Sequence, residues 1–136
     1  MRVLVRTPNW LGDIVMALPV FEALRAHFAG DVLVAGVPRA FASLLSAVSV
    51  VDQVIPLQRD GRRSWRALDA EAAALRRGGF DLAVLLPNSF GSAWVARRAG
   101  IPERWGFAAH WRRGLLTRAV PRPGRRTPPL HRVAYY

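Results

Sequence analysis

RTPNWLGDIVMALPVFEALRAHF, residues Arg6 to Phe28, decides how the fold is read. It continues a short apolar strand, Arg2 to Val5, through a turn holding Pro8, Asn9 and Gly12, and it puts Asp13 where a helix begins. A strand–turn–helix unit of this kind carries its turn residues to the carboxyl edge of a parallel sheet, where open α/β folds bind ligands. The spacing of Ile14, Leu18, Phe21, Leu24 and Phe28 at three and four residues gives the helix one apolar face. Pro19 interrupts it, and because proline lacks an N–H and crowds the carbonyl four residues earlier, the helix is expected to bend there or to begin just before it.

Working outward, apolar runs recur at RVLV (2–5), DVLVAGV (31–37), DQVIPL (52–57), DLAVLLP (81–87) and ERWGF (103–107), with helix-like segments near 13–28, 39–47, 65–77 and 89–99. Val- and Leu-rich strands alternating with helices predict an α/β fold, a Rossmann-like parallel sheet with helices on both faces. In the third helix Trp65, Leu68, Ala72 and Leu75 share one side, and Gly78-Gly79 is its stop signal. From Arg104 onward there are eight Arg and no acid, and Pro121, Pro123, Pro128 and Pro129 argue for a solvated tail or linker.

Composition narrows the function classes. The chain has 136 residues, 51% of them hydrophobic and 10% aromatic, which suits one folded core. It has no Cys, so disulfides and thiolate metal sites are excluded and a reducing compartment is compatible. His27, His110 and His131 show no metal-ligand spacing, so no metal site is expected. No run approaches ~20 apolar residues and the opening strand is too short for a secretory signal, which predicts a soluble or peripheral protein. The net charge of +11 lies entirely after Gln58, and all twenty basic residues are Arg. Guanidinium suits phosphate, but a complete lack of Lys is explained more simply by genomic base composition. Placement of charge is the usable signal.

Candidate residues each have a plainer reading. Asp13 is either a general base within reach of a substrate hydroxyl or an N-cap of its helix. Asn88 and Ser89 follow the strand DLAVLLP, so they belong to the same sheet edge; they can hydrogen-bond a polar ligand or cap the helix after them. Trp10 can wall a ligand or pack. RDGRRSWR, Arg59 to Arg66, carries four Arg against Asp60, which is a solvated face or an anion-binding loop. The turn TPNWLGD lacks G-x-G-x-x-G spacing, which disfavours a dinucleotide cofactor.

TPNWLGDIVMALPV, LLPNSFGSA (Leu85 to Ala93) and AGIPERWGF (Ala99 to Phe107) together resemble the amino terminus of the bacterial ADP-heptose:lipopolysaccharide heptosyltransferases, glycosyltransferase family 9; the last two favour the heptosyltransferase II branch. The resemblance implies the amino-terminal half of a two-domain B-type glycosyltransferase, with residues 1–120 binding acceptor. Residues 121–136 then form a connector and the start of a helix leading to a carboxyl-terminal domain that holds the donor. It implies inverting transfer of heptose from ADP-heptose to the heptosyl-Kdo-lipid A core, with no cofactor, on the cytoplasmic face of the inner membrane. Asp13 matches the family's acidic residue at the acceptor hydroxyl. Asn9, Trp10, Gly12, Asn88, Ser89 and Ser92 fall in the acceptor-side motifs, and Arg62, Arg63 and Arg66 match a basic loop engaging the anionic core. Arg97, Arg98, Arg112 and Arg113 are looser candidates for the anionic membrane surface. By the same resemblance, this chain alone is inactive. The rival readings are a non-catalytic Arg-rich module binding nucleic acid, for which no recognised motif is present and which leaves the neutral first half unexplained, and another nucleotide-sugar transferase on the same scaffold.

Overall fold

Val3, Leu4 and Val5 have no exposed surface, so the first strand is covered on both sides. That is the burial expected of a central strand in a parallel sheet. The computed structural model describes residues 1–57, 64–87, 89–108 and 113–120. Among these, the chain runs β1 (Arg2–Arg6), α1 (Leu11–His27), β2 (Val32–Pro38), a 3-10 turn (Arg39–Phe41), α2 (Ala42–Ser46) and β3 (Gln53–Leu57). It continues through α3 (Trp65–Arg76), β4 (Leu82–Leu85), α4 (Phe90–Arg98), β5 (Glu103–Phe107), a second 3-10 turn (Arg113–Leu115) and β6 (Arg118–Val120).

The strands form one sheet in the order β3-β2-β1-β4-β5-β6, and every pairing is parallel. This is the doubly wound order of a Rossmann-like fold, with its switch point between β1 and β4. Alternation along β1 divides the core. Val3 and Val5 pack with Ile14, Ala17 and Phe21 of α1 and Leu45 of α2. Leu4 packs on the other side with Ala72 and Leu75 of α3 and Ala93, Val95 and Ala96 of α4.

At the amino edge, carboxylates tie the strand starts. Asp81 accepts the Arg2 amide at 2.8 Å. Asp52 accepts the Leu33 amide at 2.8 Å and Arg25 Nη1 at 2.7 Å. The Leu33 amide first, and then the Arg25 guanidinium, hold the Asp52 carboxyl below its ordinary range.

Three sequence expectations need correction. The first helix begins at Leu11, two residues before Asp13, and runs through Pro19 as one element, so proline does not set its start. Its buried stripe is Ile14, Ala17 and Phe21, with Leu18 and Leu24 only half-buried. The third correction is at the Arg-rich end, where residues 113–120 are not a solvated tail. Thr117 accepts the Arg104 amide at 2.7 Å and donates its own amide to the Arg104 carbonyl at 2.9 Å. Arg104 in turn donates to the carbonyls of Leu115 and Ile101, and Arg118 lies 5.0 Å from the Trp105 ring centroid. These contacts give β6 its place on β5. Residues 121–136, the expected connector, lie outside the described residues.

Candidate active site

The carboxyl end of β1 is clamped from both neighbours. The Thr7 amide donates to the Gly36 carbonyl of β2 at 3.0 Å, and the Leu86 amide, just past β4, donates to the Arg6 carbonyl at 3.1 Å. Thr7, Pro8 and Pro87 are buried, so both turns leave the sheet from fixed points. The two loops that flank the switch point therefore start side by side, which is where doubly wound sheets form their ligand crevice.

From the first of these points the chain passes through half-buried Asn9 to Trp10, which is 64% exposed. Trp10 occupies the N-cap position of α1 in extended conformation and makes no side-chain cap bond, while its carbonyl accepts the Ile14 amide at 2.9 Å. Asp13 is thus in the first turn, one place beyond Gly12, and the plain N-cap reading does not apply to it. A carboxylate there still interacts favourably with the positive helix end. Asp13 is half-buried at the mouth of the turn. A Cβ on Gly12 would meet nothing within 4 Å, so the space before this turn is open to an approaching molecule.

From the second point the chain reaches Ser89, which caps α4: its Oγ accepts the Ser92 amide at 3.3 Å. The Ser92 hydroxyl donates to the Ser89 carbonyl at 2.9 Å, and the Ser89 hydroxyl donates to Ser92 Oγ at 3.2 Å. The capping reading of Ser89 holds, and both hydroxyls remain half-buried at the same edge. Asn88, Arg62 and Arg63 lie outside the described residues. Arg66 is exposed on the first turn of α3, with Ser64 capping that helix by accepting the Ala67 amide at 3.1 Å. Arg112 and the side chain of Arg113 are also outside the described residues, whereas Arg97 and Arg98 are exposed at the end of α4.

Beside these residues is a pair that sequence reasoning missed. Arg6 Nε lies 3.3 Å from Glu71 Oε1 of α3, with the two side chains only 12% and 14% exposed. Arg6 follows Leu4 on the same side of β1, so its stem runs beneath α3, and burial pushes the Glu71 carboxyl above its ordinary value while Arg6 pulls the other way.

The glycosyltransferase family 9 (heptosyltransferase) signature matches residues 70–134. Lipopolysaccharide heptosyltransferase 2 of Escherichia coli K12 is 34% identical over 117 residues, which are 85% of this chain and 34% of that protein. The chain is similar to glycosyltransferase family 9 over most of its length. A solved structure of the family, the ADP-heptose lipopolysaccharide heptosyltransferase II of Escherichia coli, superposes with a TM-score of 0.74 at 34% identity over 85% of this chain and 33% of its own. The family 9 glycosyltransferase of Veillonella parvula superposes with a TM-score of 0.83 over 98% of this chain and 38% of its own; at 20% identity that likeness is one of fold. The chain spans about a third of the length of the relatives it matches.

Proposed function

We propose that this chain forms the acceptor-binding side of an inverting heptosyltransferase that uses ADP-heptose and acts on the heptosyl-Kdo-lipid A core of lipopolysaccharide. The observation that carries the reading is the switch-point edge: the Asp13 turn after β1 and the Ser89 cap after β4 leave adjacent, clamped strands on the open side of the sheet. Similarity to the family supports sugar transfer from a nucleotide donor, and the heptosyltransferase 2 relative supports heptose as the sugar.

On this reading Asp13 is the general base. Its carboxylate accepts the proton of the acceptor hydroxyl as that oxygen bonds to the anomeric carbon of the heptose. The anomeric C–O bond to the diphosphate breaks on the opposite face and its electron pair leaves with ADP, so configuration inverts. Asn9, Trp10 and Gly12 border the acceptor sugar on one side, and Asn88, Ser89 and Ser92 on the other. The unfilled space before Gly12 lets the sugar approach the backbone closely. Arg62, Arg63 and Arg66 hold the phosphate and carboxylate groups of the core, where guanidinium binds in bidentate fashion. The donor is held mainly by a second domain, to which 121–136 connects, and the enzyme works on the inner face of the inner membrane.

The test is Asp13→Asn in a preparation active in heptose transfer. The amide keeps the shape and loses the basicity, so turnover should fall by roughly 10²–10⁴-fold with little change in acceptor affinity. Unchanged turnover would reduce Asp13 to a favourable charge at a helix end.

A further inference from the structure

Three aromatic rings form a ridge on the outer side of α3 and α4. Trp65 opens α3 and is 64% exposed, Phe90 opens α4 and is 40% exposed, and Trp94 stands one turn after Phe90 on the same helix face. The Trp65 and Trp94 ring centroids are 5.1 Å apart at 66°. Trp94 and Leu68 are half-buried against the core, so the ridge is rooted in packed residues while its crest stays in water. Exposed aromatic surface of this kind is uncommon on a soluble protein without a partner.

The helices that carry the ridge are basic. Among the described residues the exposed charges on α3, α4 and their caps are Arg66, Arg76, Arg77, Arg97 and Arg98 against Asp69 alone, which pairs with Arg98 at 3.3 Å. Glu71, the other acid of α3, is turned inward to Arg6. A second exposed apolar group, Trp10, Leu11 and Val15 on α1, has the opposite setting, since the charges of that helix are Asp13 and Glu22 with Arg25 committed to Asp52.

We propose that the Trp65–Phe90–Trp94 ridge is the surface by which the protein rests on an anionic phospholipid bilayer. Tryptophan and phenylalanine settle at the level of the lipid headgroups, with arginine beside them drawn to anionic lipid. No helix among the described residues is long and apolar enough to cross a membrane, so contact is with the surface. Single-stranded nucleic acid also attracts arginine and aromatic rings, but it stacks bases on ring faces. Here Trp65 and Trp94 pack edge to face and offer no such stack. Phe90 directly follows Ser89, so a bilayer under the ridge would bring a lipid-borne acceptor to the edge holding the proposed site. In that last respect the inference rests on the function proposed above.

The test uses the 136-residue chain and acceptor-free phosphatidylcholine vesicles made with and without phosphatidylglycerol. The chain should sediment with the phosphatidylglycerol vesicles and be released by salt, and brominated acyl chains should quench its tryptophan fluorescence. Trp65→Ala should remove most of that quenching and weaken binding, while Arg66→Gln and Arg97→Gln should each weaken it by about fivefold. All three side chains are exposed, so circular dichroism should show the fold intact. Failure to bind phosphatidylglycerol vesicles, binding and quenching unchanged by Trp65→Ala, loss of binding through Trp10→Ala instead, or preference for RNA over the vesicles would each overturn the proposal. Because the vesicles hold no acceptor, absent vesicle binding alongside Asp13-dependent transfer sinks this inference alone, and vesicle binding without transfer sinks the function alone.

Discussion

Glu71→Ala should be among the more destabilising substitutions outside the apolar core, because it removes the carboxylate that faces the nearly buried Arg6 guanidinium. At 3.3 Å and an effective dielectric of about 20, the gross attraction between the two groups is about 5 kcal/mol. Desolvation offsets much of this in the intact pair, but removing one partner leaves the other's burial less well compensated, and breaking a fully enclosed pair costs about 3–5 kcal/mol. With side chains still 12% and 14% exposed, water reaches the site a little, and the lower end, about 3 kcal/mol, is the expected loss. In urea, with a slope of about 1.5 kcal/mol per molar, the midpoint should fall by about 2 M. The double variant Arg6→Met with Glu71→Leu removes both charges and should return to within about 1 kcal/mol of the parent.

The same pair sets a pH dependence. Burial holds Glu71 above its ordinary 4.5, so the folded state keeps that proton over a range in which the unfolded chain has lost it. The contribution of this group to stability therefore falls as pH rises from 4.5 through the elevated folded value, and the double variant should lack that fall. A midpoint shift below about 0.5 M for Glu71→Ala, or a double variant as unstable as the single one, would show that the pair is screened by water and refute the reasoning.

Ser89→Ala should cost about 1 kcal/mol through loss of the α4 cap; a larger rise in acceptor KM than that energy explains would mark a direct contact with the sugar, and melting and kinetics together separate the two. Asp52→Ala should cost about 1 kcal/mol near neutrality by stranding the Leu33 amide, and because the Asp52 carboxyl lies below its ordinary value when folded, acid titration of the parent should lose that stability as pH falls through the folded value while the variant does not. Replacing Arg62, Arg63 and Arg66 with Gln should weaken binding of a phosphorylated core acceptor and flatten its salt dependence, read by calorimetric titration; unaltered affinity and salt response would leave the run a solvated face.

The fold was largely legible because burial on both sides of the sheet writes the strands as apolar runs, and β1, β2, β3 and β5 lie within a residue or so of where RVLV, DVLVAGV, DQVIPL and ERWGF put them. β6 was not, since Arg118-Ala119-Val120 has no run to read and is held by Arg104 and Thr117, contacts that exist only after folding. The start of α1 was displaced for a related reason. Asp13 advertises a cap, yet the cap position fell to Trp10, whose carbonyl and not its side chain serves the helix. Arg6 and Glu71 read separately as a strand-end charge and one acid on a helix; only the packing of α3 over β1 joins them.

The central position of β1 bears on synthesis. Its partner on one side, β2, follows within the same helical crossover, but its partner on the other side, β4, aligns Leu85 with Arg6 and so emerges much later. Until then the β1-β2-β3 half exposes an apolar, unpaired strand edge, which is the geometry that recruits foreign strands. Slow translation between β3 and β4 should therefore raise the demand on chaperones, and truncations ending before β4 should aggregate where those ending after it do not.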